Sequence, residues 1–473
     1  MSPREVAGRT RDHARRAAWR RLQVHVGEPD PNPPGAAPTA LATTLPTGAA
    51  LAVAEGARRE LLDAADRLLL GSWEILGVTR LDLAAPDWFL DPVTGRRAPQ
   101  DRYAFDVDHR AEDETGNVKQ VWELSRHHHL TVLAAAWCLT GEDSYAEAVA
   151  RQLHSWWREN PFLSGVHWTN GIEVGIRLLS WTWIRRLLDG WPGAAGLFED
   201  NARAVSQIWC HQRYLAAFRS GGSSANNHVI AEAAGQLVAA CAFPWFAESE
   251  HWRRGAAALL ELELERNTFP SGLDREQASD YHGLVAELGL VAAVEAEASG
   301  HPLGDANWTR LRAMVDVAAA VVDEGLRPPR QGDGDDGRGL LLDAPHHNHW
   351  PSLLATGAAL FGGLPWWPAT PPGDVRSALL AAMAPGRRPS GGGRPASRPS
   401  HFADAGMTLL RAGTGSGTEI WCRCDAGPHG FLSIAAHAHA DALSVEVRHG
   451  GVDVLADPGT YCYHGEPRWR AWF

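Results

Sequence analysis

Apolar residues recur at helical spacing from Ala54 onward, where Leu61, Leu62, Ala65, Leu68 and Leu69 share one stripe. Such spacing marks an amphipathic helix. The pattern returns over roughly 119–138, 143–159, 170–188, 199–216, 226–241, 250–266, 279–299, 305–323 and 349–361, with short polar breaks between segments. Helix after helix joined by short turns predicts antiparallel α-hairpins, arranged as a bundle, a solenoid or a closed toroid. No fixed-period repeat is present, which disfavours a simple solenoid. The helical stretch ends in a low-complexity segment, Pro385 to Ser400, whose composition predicts a flexible linker.

Beyond the linker the period changes to two. Met407–Arg411 and Thr418–Arg423 alternate as strands, and Val445–Arg448, Gly450-Gly451 and Val452–Val454 predict a hairpin with a Gly-Gly turn. Just before it lies His437-Ala438-His439-Ala440-Asp441. On an extended strand these two imidazoles and the carboxylate would leave one face. Burying them together is costly without a metal, a ligand or water, so the cluster reads as a candidate site. The alternative is an exposed, hydrated strand. The expected organisation is a disordered basic arm over 1–50, a helical domain over 51–384, a linker over 385–400 and a β-domain over 401–473. The last is too short to close a large sandwich, so it is expected to stop in mid-domain.

Composition narrows the function. The 473 residues are 45% hydrophobic and 21% charged, ordinary for a globular protein. A net charge of −12 argues against a general nucleic-acid binder. An acidic substrate would therefore need a local positive field. The 21 Trp are expected mostly in the core or lining a groove. The six Cys are scattered, and Cys422-x-Cys424 lacks the spacing of a zinc pair. Met1 to Arg21 has no apolar core of a signal peptide, and no stretch reads as a membrane span.

Three further stretches could carry chemistry. Asn226-Asn227-His228 precedes an apolar helical run, so Asn227 and His228 fall in its first turn, where free N–H groups favour an anion. The two Asn could instead merely cap the helix. Ser279 is a candidate cap for the next such helix, which would place Tyr281 in its opening turn, as catalyst or as packed aromatic. Gln331–Gly337 lacks the ligand spacing and final Glu of a calcium loop and reads as a tight acidic turn. His127-His128-His129 on a helix would point about 100° apart and cannot converge on one ion.

Taken together, these pieces resemble the heparinase II/III-like polysaccharide lyases, a family that includes heparin-sulfate lyases and some alginate lyases. The resemblance rests on Trp88–Asp91, Asn117–Arg126, Asn160-Pro161, Trp168–Glu173, Asn226–His228, Glu276-x-x-x-x-Tyr281-His282, His437–Ser444 and Asp457-Pro458-Gly459-Thr460-Tyr461. It implies an incomplete (α/α) toroid followed by an antiparallel β-sandwich, with the active site in the cleft between them. By resemblance, Asn227 and His228 neutralise the substrate carboxylate, Tyr281 is the catalytic acid or base, and His437 is the second catalytic imidazole. It further implies that His439 and Asp457 ligate a structural metal, usually zinc, with a third His ligand beyond Phe473. The partner implied is an acidic polysaccharide or oligosaccharide, with neither nucleic acid nor membrane insertion. Relatives are commonly exported, whereas this N-terminus alone reads as cytoplasmic.

The residue types suit β-elimination on a uronic acid. Amide and imidazole donors can neutralise the carboxylate and so acidify the C5 proton, and a phenol and an imidazole can share base and acid roles. Two rivals remain: a glycoside hydrolase on an (α/α) barrel using Glu276 and Asp335, and a non-catalytic glycan-binding protein. One register argument opposes the shared metal. A two-residue Gly450-Gly451 turn puts Asp457 opposite Ser444, five residues and about 16 Å from His439, unless the His437–Asp441 stretch curls away or a bulge intervenes.

Overall fold

A computed structural model describes residues 3–334, 337–346, 348–385, 393–413, 417–460, 462–465, 467–470 and 472. The chain forms two compact units, Met1–Thr44 with Glu60–Ala256 and Leu340–Leu342, and Leu45–Arg59 with Ala257–Gly339 and Asp343–Phe473. Within the first unit are α1 (Pro3–Trp19), α2 (His128–Thr140), α3 (Asp143–Glu159), α4 (Gly171–Leu187), α5 (Ala202–Ala217) and α6 (Asn227–Ala242). The arm expected to be disordered thus carries α1. Its last residue, Trp19, packs edge-on against Phe218 at 4.8 Å between ring centroids, with the Arg213 guanidinium over its ring at 5.0 Å. An arginine-rich segment with one aromatic anchor can dock where its charges stay in water.

α4 is buried along its whole length, as expected of a helix enclosed by its neighbours. It lies backbone to backbone against α6. A Cβ added to Gly235 would fall 2.2 Å from the Gly175 carbonyl oxygen, and one added to Gly175 would fall 2.6 Å from the Ala231 oxygen. Glycine at both positions is what permits this approach, and the approach fixes the axis of α6 and so the place of Asn227 at its start. The predicted 119–138 helix is broken instead into Val118–Leu124 and α2, with His127 between them in the left-handed region at φ 64°. His127 and His129 are packing residues. Trp181 Nε1 donates to His127 Nδ1 at 2.8 Å, and His129 Nε2 bonds Gln152 Oε1 at 2.9 Å. Burial holds both imidazoles below their ordinary pKa. Arg126, in one of the motifs quoted above, makes a buried two-pronged pair with Glu173 at 2.7 and 2.8 Å.

Helices α7 (Ser279–Ala298), α8 (Asp305–Val321), α9 (Trp350–Phe361) and α10 (Val375–Met383) belong to the second unit. So does a five-stranded antiparallel sheet of β1 (His401–Phe402), β2 (Met407–Ala412), β3 (Ile420–Asp425), β4 (Val445–His449) and β5 (Val452–Leu455), in chain order. The expected hairpin is present: His449 pairs with Val452 across Gly450 and Gly451, whose φ angles of 54° and 77° are those of a primed turn. A bulge between Val447 and Arg448 shifts the register by one. Part of the predicted linker, 386–392, lies outside the described residues. Its remainder is tied down, because Arg394 pairs with Asp316 at 2.7 Å and Arg398 donates to the Val322 carbonyl at 2.7 Å. Cations at the end of α8 satisfy carbonyls that no helical N–H can reach.

One sheet face buries Leu409, Trp421, Arg423, Glu446 and Arg448, whereas Leu410, Ile420, Val445, Val452 and Val454 on the other strand positions are exposed. Buried charge dominates the covered face. Arg448 donates to Asp323 at 2.9 Å and to the Pro328 carbonyl at 2.6 Å, and it also pairs with Glu446. Glu446 in turn accepts from Arg330 N at 3.0 Å. Trp421 lies 4.4 Å beneath the Arg448 guanidinium and donates its Nε1 to the Val321 carbonyl. Removing one member of such a buried set strands its partners. Arg448→Met is expected to cost about 3–5 kcal/mol, read from the urea midpoint. A loss within about 1 kcal/mol would show that water reaches this cluster.

Candidate active site

The site is built on the start of α7. Asp274 Oδ1 accepts from Glu276 N at 2.9 Å, Gln277 takes a left-handed φ of 57°, and Ser279 N donates to the Gln331 carbonyl at 2.9 Å. Ala278 occupies the N-cap position, so Ser279 is the first helical residue and not the cap. This turn puts Tyr281 on the opening turn, as expected, with its ring stacked on the His437 imidazole at 3.5 Å between centroids and 18° between planes.

His437 does not sit on a strand. The strand begins only at Val445, and Ala435, His437 and Leu443 take φ angles of 49°, 58° and 61°. The expectation that His437, His439 and Asp441 share one strand face is therefore overturned. Contacts distant in sequence bend this loop. Asp333 N donates to the His437 carbonyl at 3.0 Å, and Gly332 N donates to Asp441 Oδ2 at 2.9 Å. Asp441 thus anchors the loop to the 331–334 turn.

Around the His437 ring the structure gathers Tyr463 and Asp333, which sequence reading missed, together with Glu276 from the quoted Glu276–His282 motif. Tyr463 Oη lies 3.2 Å from His437 Nδ1 and 3.1 Å from Tyr281 Oη. The wholly buried Glu276 lies 3.3 Å from Nε2, and Asp333 lies 3.5 Å from Nδ1. Phenol, phenol and imidazole form one hydrogen-bonded chain, flanked by two carboxylates. Such a chain can pass a proton among its three side chains beside a reacting carbon. The only hint of Tyr463 was its place two residues after the quoted Asp457–Tyr461 motif, and Asp333 lay in a stretch read as a plain turn. Asp335 and Tyr461 lie outside the described residues.

His439 Nδ1 lies 3.4 Å from Asp457 Oδ1, so the loop and the bulge together close the offset that a straight ladder would impose. Both ring nitrogens of His439 are buried and make no hydrogen bond. An unsatisfied imidazole beside a carboxylate is a donor pair suited to a divalent cation. Among the described residues, no group of three His, Cys, Asp or Glu side chains is placed to hold one.

Asn227 and His228 open α6 in the first unit. Asn226 is the cap, its Oδ1 accepting from His228 N at 3.2 Å. The capping role thus falls to the first Asn, and Asn227 is a fully buried first-turn residue.

Two family models match the chain: heparinase II/III N-terminus over 92–332, and heparinase II/III-like, C-terminal over 394–473. The chain belongs to the heparinase II/III family. It is 24% identical over 182 residues to a heparin-sulfate lyase of Pedobacter heparinus, covering 36% of this chain and 26% of that protein. To the heparin-sulfate lyase of Bacteroides stercoris it is 21% identical over 199 residues, covering 39% and 30%. Among solved structures, heparan sulfate lyase HepC from Pedobacter heparinus matches with a TM-score of 0.51 at 20% identity, over 87% of this chain and 58% of that one. A heparinase III structure matches with a TM-score of 0.58 at 16% identity, over 92% and 63%. This family member therefore spans about three-fifths of those structures and shares their fold, helices followed by an antiparallel β-region. Among the described residues no helix is long and apolar enough to cross a membrane.

Beneath the site, burial raises the Asp274 carboxyl to a pKa of about 7, while its Oδ2 has no hydrogen-bond partner. The folded protein thus holds a proton there that the unfolded chain releases near pH ~4. Stability from this group is full below about pH 4 and is lost as pH rises through about 7. Asp274→Asn should flatten the decline in melting temperature between about pH 5 and 8. An unchanged slope would show that Asp274 is already ionised.

Proposed function

We propose that this protein is a polysaccharide lyase that cleaves a uronic-acid-containing glycan by β-elimination. The observation that carries the reading is the Tyr281–His437 stack, linked through Tyr463, in a chain of the heparinase II/III family. In this reading Asn227 and His228 bind the sugar carboxylate and draw off its charge, which makes the C5 proton acidic; the buried Asn227 amide must be uncovered as the sugar enters. Tyr281 and His437 divide the proton transfers. One takes the C5 proton, the C4–O4 bond breaks as the C4–C5 double bond forms, and the departing O4 leaves with a proton. Glu276 and Asp333 hold the imidazole in place for this. The step needs no attacking water, and hence no pair of carboxylates across a glycosidic bond.

The names of the relatives favour a heparan-type substrate, and alginate or glucuronan are the other uronate polymers to be assayed. His439 and Asp457 are two ligands of the metal site in this reading, zinc being the expected ion. A metal there would cross-link the His437 loop to the segment after β5 and stiffen it.

The test is the absorbance of the 4,5-unsaturated uronate on heparan sulfate, alginate, hyaluronan and polyglucuronate. Tyr281→Phe and His437→Ala are each expected to lose about 10²–10⁴-fold in turnover with melting temperatures unchanged. Near-parental rates in either variant would remove that residue from the chemistry. Hydrolysis without an unsaturated product would instead indicate a glycoside hydrolase, and binding without turnover a glycan-binding protein. For the metal, a chelator should lower the melting temperature of the parent and leave a His439→Ala, Asp457→Ala double variant unmoved. An unaffected, metal-free parent would contradict the site.

A further inference from the structure

The first unit holds a cavity of about 480 Å³, a size that takes a small ligand. Two arginines face it, Arg16 from α1, whose guanidinium lies over Phe105, and Arg219 from the turn after α5, whose charge the Glu232 carboxylate offsets in part. Hydroxyl and amide groups of Asn170, Ser220 and Ser224 join them, and the buried Phe218 supplies an apolar wall. Among the lining residues, Glu232 and Asp12 oppose this charge. Glu232 is buried and occupied, accepting from Ser220 N at 2.7 Å and Ser220 Oγ at 2.6 Å, and Asp12 lies 3.7 Å from Arg15.

Two guanidinia, only one of them facing a carboxylate, with several hydroxyl and amide groups and one ring face, match an anionic sugar better than a neutral or cationic ligand. The cavity also shares Ser224 with the turn that leads into Asn226–His228, and Glu232 lies on α6 itself. Arg16, however, precedes the segment that the family models match. We infer that this cavity is a substrate subsite for an acidic sugar unit, a uronate or an O-sulfated ring, read by Arg16 and Arg219. The inference deepens the lyase reading and rests on it for the identity of the polymer.

The test uses the full chain carrying Tyr281→Phe, so that binding is measured apart from turnover. Calorimetric titration at low salt uses three probes: a glucuronate–N-acetylglucosamine tetrasaccharide, its O-sulfated form and its carboxyl-reduced neutral form. Arg16→Gln and Arg219→Gln should each weaken the acidic probes about tenfold, roughly 1.4 kcal/mol. Binding of the neutral probe should change less than about twofold, with Arg16→Lys keeping the charge but not the planar fork and so retaining only part of the affinity. A larger loss on the sulfated probe assigns the contact to sulfate, and an equal loss assigns it to the carboxylate. Parental affinity for the acidic probes in both Gln variants would overturn the subsite, as would a parent that binds none of them or prefers the neutral one. If the Arg variants lose affinity while the unmutated protein never forms an unsaturated product, the subsite stands and the lyase reading falls. Product formation by the unmutated protein together with parental binding in the Arg variants removes the subsite and leaves the lyase reading standing.

Discussion

The sheet of the second unit is held by charge that has no access to water. Arg448 bridges Asp323 at the end of α8 to Glu446 on its own strand, and Arg423 reaches Ser444 Oγ at 2.8 Å. Such groups tolerate burial only with every partner in place, so they set where β4 starts and how the preceding residues hang. The chain before Val445 is left to turn, and its polar backbone finds partners in the 331–334 segment. The place of His437 against Tyr281 follows from that constraint.

A different constraint governs the first unit. Helices α4 and α6 meet at Gly175 and Gly235 with no room for a methyl group, and large aromatics fill the space around them, with Trp156, Trp168, Trp181 and Trp183 fully buried. Arg177 inside this core is paired, with the Ser125 carbonyl at 2.7 Å and His211 Nε2 at 3.1 Å. Burial lowers the pKa of that guanidinium to about 9. Many residues of the motifs quoted from the sequence, Arg126, Trp168 and Glu173 among them, therefore build the scaffold that carries Asn227 rather than the chemistry.

Local signals were legible where local physics decides. The stripe over 143–159 became Asp143–Glu159, the Gly-Gly turn became a hairpin, and Asn226-Asn227-His228 became a cap and a first turn. Errors arose where distant partners outvote local pattern. His437, His439 and Asp441 alternate as a strand would, yet hydrogen bonds to Gly332 and Asp333 bend them into a loop. Tyr463 and Asp333 carry no spacing that marks them, since each acquires its role only by meeting His437 in space. The basic segment of α1 reads from sequence as a disordered arm because no local signal announces that Trp19 docks on Phe218.

The proposed chemistry requires an amide, two imidazoles and a phenol to converge on one sugar acid group. The most direct measurement is a crystal structure of the Tyr281→Phe variant with a uronate tetrasaccharide bound. The account predicts the sugar carboxylate within about 3 Å of Asn227 and His228, with C5 facing His437 and the aromatic ring that replaces the phenol. A tetrasaccharide bound with its carboxylate away from Asn227 and His228, or with C5 turned from His437, would contradict it.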